Sequence, residues 1–390
     1  MQLFLRRVAN IDWVLFSAVI PLLGAGLITM KGFSSGISDI GLENGDYYFT
    51  RQIIWIFIAL IVFFVFSAID WRFLKSGGLL LGLLILSLIP LAFLLVLGTV
   101  TRGAASWFHF FSFSISPADP IKLLLILILA KYFSRRHVEI AYIKHILVSA
   151  TYVIVPAGLV FLQPDFGSAI IICAIWLGMV AVSGISKKHL LIIFLTALLI
   201  FSVGWFFVLK PYQKDRVLTF FDPLRDPKGA GYNAMQSVIA VGSGEILGKG
   251  IGYGTQSRLE FLPEHQTDFI FASFAEEWGF LGVLAIFILW GIVIWRILKS
   301  AFNAQSNFER LFGIGLAIFF VSHALIHIGM NIGLLPVTGI PLPFMSYGGS
   351  NLVTVFAGLG ILMAMRRYAI NIIPEKSSDF IETPNDKNWL

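Results

Sequence analysis

Apolar residues in this chain fall into long blocks separated by shorter polar stretches, and within each block the pattern is continuous, neither alternating nor one-sided. A helix on the surface of a water-soluble core would show a polar stripe at helical spacing. Runs of about 20 residues that are apolar all round predict helices that cross a bilayer, where each backbone polar group must be satisfied inside the element. Ten are predicted, near Ile11–Met30, Ile53–Ile69, Gly77–Gly98, Ser116–Phe133, Ile143–Leu162, Gly167–Val182, His189–Leu209, Asp268–Leu298, Leu311–Ile332 and Met345–Met365. The fourth carries Asp119, Pro120 and Lys122, and the sixth is short. The first is too long for a signal peptide and has no small-residue cleavage site, so it is expected to be retained. One long interval, Lys210 to Thr267, holds aromatics, turn-like glycines and a helix-compatible run from Asn233 to Val241. Loops beyond roughly 12–15 residues are usually functional or disordered, and this composition predicts a folded one. Residues 1–373 are expected to form a single transmembrane domain with its large loop at about 210–267, and 374–390 a disordered cytoplasmic tail.

Composition agrees and excludes alternatives. Of 390 residues 57% are hydrophobic and 13% charged, against roughly 45–50% and 25% in ordinary globular domains. Mean hydropathy is +0.86. Such a chain cannot cover a water-facing surface, so a soluble enzyme, a nucleic-acid-binding domain and a disordered scaffold are excluded. The single cysteine, Cys173, permits no intrachain disulfide.

The net charge of +6 mostly records topology. Arg6 and Arg7, Arg72 and Lys75, Lys131 to Lys144, Lys187 and Lys188, Arg296 to Arg310, and Arg366 with Arg367 all fall on one side of the predicted spans. The positive-inside rule makes that side cytoplasmic, with both termini inside and the long loop outside. The expected architecture is an all-α, polytopic protein of the cytoplasmic membrane with one large extracytoplasmic loop.

Charged residues within spans are costly and draw attention. Asp119 and Lys122, three apart, share a helix face and predict an ion pair. That pair either joins helices or places Lys122 beside an anionic head group. Asp165, in Gln163-Pro-Asp-Phe-Gly167, caps the next span or faces a substrate. His323 and His327 have a spacing that can bind a metal, but no zinc-protease glutamate accompanies them, which favours polar packing between helices. The stretch Gly242-Ser-Gly-Glu-Ile-Leu-Gly-Lys249 lacks the first glycine offset and the Ser/Thr of a phosphate loop. The densest cluster is Glu260-Phe-Leu-Pro-Glu264-His-Gln-Thr-Asp268-Phe-Ile-Phe271, where the long loop re-enters the membrane. Asp268 either caps the eighth span or acts as a general base on a lipid-linked substrate.

These stretches resemble the SEDS family (shape, elongation, division and sporulation proteins) from the first span to the tenth. The resemblance is carried by Gln163–Ser168, by Asp215-Arg216 with Phe221–Pro227, and by Gly231-Tyr232 with Gln236-Ser237. It continues in Gly248-Lys-Gly250, Gly254–Ser257, Phe261–Phe271 and Pro341–Ser350, and the Gly254-Thr-Gln-Ser257 segment leans to the elongation branch over the division branch. Two departures stand out. His265 and Gln266 are in the opposite order to the family's, so the resemblance assigns no role to that histidine. The fourth-span motif is Ser116-Pro-Ala-Asp119-Pro-Ile-Lys122, with a shorter acid and no glutamine.

The resemblance implies a peptidoglycan glycosyltransferase that polymerises lipid II at the outer membrane face during elongation, releasing undecaprenyl pyrophosphate. It implies a class B penicillin-binding protein as crosslinking partner, alongside other elongation-machinery membrane proteins, and Asp268 as the catalytic aspartate. Lys122, Arg216, Lys249 and Arg102 are candidates to balance diphosphate charge, directly or with a divalent cation such as Mg²⁺ or Mn²⁺. Gln256, Glu264 and Asp165 complete the expected substrate-binding set. The competing readings are a lipid II flippase, a non-catalytic scaffold for the crosslinking partner, or a division or sporulation paralogue. The concentration of polar motifs at the outer mouth favours the enzyme.

Overall fold

The computed structural model describes residues 11–37, 45–75, 78–97, 107–110, 113–135, 143–207, 211–227, 229–259 and 261–370. Arg102 and the predicted tail lie outside them, as does the side chain of Arg216. Each apolar run forms a helix, and the protein is an all-α, multi-pass membrane protein. The first seven are α1 (Trp13–Ile37), α2 (Gly45–Ala68), α3 (Leu79–Leu97), α4 (Ala118–Ser134), α5 (Ile143–Leu162), α6 (Phe166–Val182) and α7 (Lys187–Phe207). The long segment folds as α8 (Pro211–Phe221), a 3₁₀ turn at Pro223–Arg225, α9 (Ala230–Ser243) and a single helical turn at Thr255–Arg258. It is followed by α10 (Ile270–Phe302), α11 (Asn307–Asn331) and α12 (Gly349–Ile370). Seven of the ten are long and apolar enough to span a bilayer unaided; α3 and α6 are shorter apolar helices, and α4 carries the buried charges.

Large apolar side chains such as Phe57, Ile85, Leu199 and Phe206 point outward, as lipid-facing residues do. The apolar window of α7 buries none of its residues against the rest of the chain. The core lies among α1, α2, α4, α10, α11 and α12. Phe344, from the connection between α11 and α12, wedges into it. Its ring lies 5.4 Å from Phe320, 5.7 Å from Trp290 and 5.9 Å from Phe356.

At one end of the bundle Asp12 is buried and receives Arg296 at 2.5 Å and Arg366 at 3.0 Å, tying α1, α10 and α12 together. Arg367 donates to the Ser67 carbonyl at the end of α2. This is the basic face of the sequence pattern. The opposite, loop face carries residues 211–269.

Three features depart from the expected spans. A two-stranded antiparallel hairpin, β1 (Phe108–Phe110) and β2 (Phe113–Ile115), precedes α4. The tenth span begins at Gly349 and not at Met345, because residues 345–348 are not helical. The eighth begins at Ile270 and is broken at Gly279 (φ 65°, ψ −167°). The break is repaired by the loop: Lys249 and Gly250 N–H groups donate to the Glu276 and Glu277 carbonyls (2.9 and 3.0 Å). In return the Phe280 and Leu281 N–H groups donate to Glu245 and Ile246 (2.9 and 3.2 Å). Non-helical backbone at this depth persists only where protein satisfies it.

Candidate active site

Asp268 ends a tight turn. Glu264 sits in the left-handed region (φ 54°), and its carbonyl accepts from the N–H groups of Thr267, Asp268 and Phe269 at 3.1, 3.0 and 3.3 Å. The first helical residue is Ile270 and the cap position belongs to Phe269, which makes no side-chain capping bond. Asp268 therefore stands one residue before the cap, half-buried at the loop face. Gly339 (φ 72°) walls the carboxylate: a Cβ there would lie 3.6 Å from Asp268 Oδ2.

The connection between α11 and α12 gathers the motifs around this turn. The Tyr347 N–H donates to the Gln266 carbonyl (2.9 Å), and Gln52 of α2 donates to the Ser346 carbonyl (3.2 Å). Ser350 Oγ donates to the Ser116 carbonyl (2.9 Å), which brings in the start of α4. Gly167 packs against Thr338 and Ile340, which brings in α6. His327 and His323 pin the same connection, their Nδ1 atoms 2.6 and 3.2 Å from the Ile340 and Pro341 carbonyls. Both rings are fully buried and serve as packing groups.

His265 is buried, with Nδ1 2.9 Å from the Leu262 carbonyl and Nε2 2.7 Å from the Gln266 side-chain amide. Burial lowers its pKa to about 4, partly opposed by the Leu262 bond, so the ring is neutral at pH 7. Nδ1 then carries the proton, and Nε2 accepts from the amide.

Lys122 and Asp119 form the expected ion pair at 2.9 Å, with the lysine only 2% exposed. Lys249 donates to Glu276 (2.7 Å) and Thr255 (2.9 Å), so its charge is already balanced. Glu276 also accepts from the Gln256 backbone, and Gln256 Oε1 is buried with no hydrogen-bond partner. Asp165 caps α6, accepting from the Ser168 N–H at 2.9 Å. Glu264 Oε2 accepts from Thr267 Oγ1 at 3.3 Å. Among the described residues no three His, Cys, Asp or Glu side chains gather as a metal site. An apolar cavity of about 330 Å³ opens beside the loop, lined by Phe220, Met235, Val238, Ile239, Leu335 and Val337.

Asn331, at the end of α11, escaped the sequence reading. It is fully buried and bonded to both Asp268 and Ala272. A single amide closing an apolar run gives no pattern that names its partners.

A half-buried carboxylate at the loop face of a multi-pass helical bundle, with Gly339 beside it, is the centre of the candidate site. Comparison with known proteins gives the family. The profile for cell cycle proteins of the FtsW, RodA and SpoVE type matches residues 13–371. Peptidoglycan glycosyltransferase MrdB of Escherichia coli K12 is 35% identical over 86% of this chain and 88% of its own. A probable peptidoglycan glycosyltransferase FtsW of Thiomicrospira cyclica is 33% identical over 91% and 92%. A solved structure on the coordination of polymerization and crosslinking by a peptidoglycan synthase complex superposes with TM-score 0.77. It is 31% identical and covers 92% of this chain and 98% of that one. The chain belongs to the SEDS family.

Proposed function

We propose that this protein is a peptidoglycan glycosyltransferase that polymerises lipid II into glycan strands at the outer face of the cytoplasmic membrane during cell elongation. The observation that carries the reading is the placing of Asp268: held by the 264–268 turn at the loop face, ahead of the cap position and beside Gly339. Asp268 takes the proton of the acceptor GlcNAc 4-hydroxyl as that oxygen attacks C1 of the donor MurNAc. Undecaprenyl pyrophosphate leaves, and the anomeric centre inverts.

Arg102 and Arg216 are assigned to diphosphate charge, and Lys122, 2% exposed and paired with Asp119, reaches a diphosphate only where that pair opens. Lys249 contributes through the Glu276 network that seals the break in α10. A divalent cation such as Mg²⁺ or Mn²⁺, held by diphosphate oxygens with one or two carboxylates, would neutralise charge on the leaving group. Crosslinking of the product is assigned to a class B penicillin-binding protein, and the Gly254–Ser257 segment supports the elongation branch.

The test is purified protein with labelled lipid II, with and without that partner. Partner-dependent glycan strands are expected. Transbilayer movement of lipid II without polymer would establish a flippase instead, and neither activity a scaffold.

A further inference from the structure

We infer that Asn331 is a positioning residue for Asp268: it caps the first turn of α10 and fixes the backbone that carries the carboxylate. The inference rests on the reading of Asp268 as general base. The first turn of a helix leaves N–H groups without partners, and a polar side chain at the cap usually meets that need. Phe269 at the cap of α10 cannot. The need is met from another helix, because Asn331 Oδ1 accepts from the N–H of Ala272, the third residue of α10, at 3.1 Å.

The other end of the same amide reaches Asp268. Asn331 Nδ2 donates to the Asp268 carbonyl at 3.0 Å and to the His327 carbonyl at 2.8 Å. These partners fix the amide's orientation, since Ala272 N–H can only donate and the two carbonyls can only accept. Asn331 is itself immobilised: it is fully buried, and its own carbonyl accepts from Ser237 Oγ at 2.8 Å. The Asp268 N–H is held by Glu264, so both backbone polar groups of the aspartate are tied.

Asn331 locks the backbone that carries the Asp268 carboxylate. General-base catalysis depends on placement, and a displacement of about 1 Å can cost on the order of 10²-fold in rate.

The experiment uses the purified full chain with a class B penicillin-binding protein, reading kcat and KM for lipid II together with thermal unfolding. Asn331→Ala should lower kcat about 10–100-fold with KM within about threefold. Ser273→Ala, which removes buried bonds to Ser257 and the Phe269 carbonyl in the same helix, should lower the unfolding temperature but keep kcat within about twofold. Asn331→Asp sets a buried carboxylate oxygen against the Asp268 and His327 carbonyls, so stability and kcat should both stay low. An Asn331→Ala kcat within about twofold of wild type would overturn the inference and leave the base assignment standing. Asp268→Asn is assayed in parallel; activity there removes the base reading and this inference with it.

Discussion

At the residue scale, burial decides what each ionisable group can do. His265 has its pKa lowered from 6.5 to about 4 by desolvation. Between those values the unfolded chain takes up a proton that the folded chain refuses. Stability from this residue is complete above about pH 6.5 and is lost as pH falls towards 4, by about 3 kcal/mol in all. The unfolding temperature of the detergent-solubilised protein should therefore drop from pH 7 to pH 4.5, and drop less in His265→Gln. Parallel curves would remove His265 as the cause. Lys122 is the opposite case, a charge kept because it is paired. Lys122→Ala leaves Asp119 buried and uncompensated, which costs about 3–5 kcal/mol and should abolish activity with it. In the exchanged pair, Asp119→Lys with Lys122→Asp, recovered folding without recovered polymerisation would place Lys122 on the substrate. Full recovery would reduce the pair to a structural one. The pairing of Asp119 with Lys122 was legible because residues three apart on a helix share a face. Asn331 was not, because its partners lie 59 and 63 residues away.

At the scale of elements, the break in α10 joins the long loop to the helix that carries the site. Gly248 (φ 80°) and Gly279 allow it, since a Cβ at Gly248 would overlap the Glu277 carbonyl oxygen. Gly248→Ala should cost about 1–3 kcal/mol or more from backbone strain, before any overlap is counted. Gly242→Ala, at a helical position with nothing within 4 Å, should be neutral or stabilise by up to about 1 kcal/mol. Equal unfolding temperatures for the two variants would contradict the spliced helix. The sequence showed where spans lie, because hydropathy reports composition. It hid the break, because nothing in the sequence around Gly279 reveals a φ of 65°. It also suggested that Asp268 would begin the span; the cap fell instead to Phe269, with Asn331 doing the work from another helix.

At the scale of the whole molecule, the α11–α12 connection is where separated segments meet: α2 through Gln52, the start of α4 through Ser116, α6 through Gly167 and the 264–268 turn through Gln266. The positive-inside rule predicts that the opposite, basic face lies in the cytoplasm. Cysteines introduced at Arg135 and Leu224 should respond oppositely to an impermeant reagent in intact cells, with position 224 labelled and 135 protected. The reverse pattern would turn the site inward, away from the growing wall. The central claim is that Asp268 moves a proton, and one substitution separates this from a structural role. Asn keeps the size of Asp and caps a helix equally well, so a structural Asp268 predicts near-normal activity for Asp268→Asn. The measurement is glycan-strand formation from lipid II by purified wild type and Asp268→Asn, each with the crosslinking partner and each shown to be folded. The account predicts a loss of roughly 10²–10⁴-fold, and polymerisation within a few-fold of wild type would contradict it.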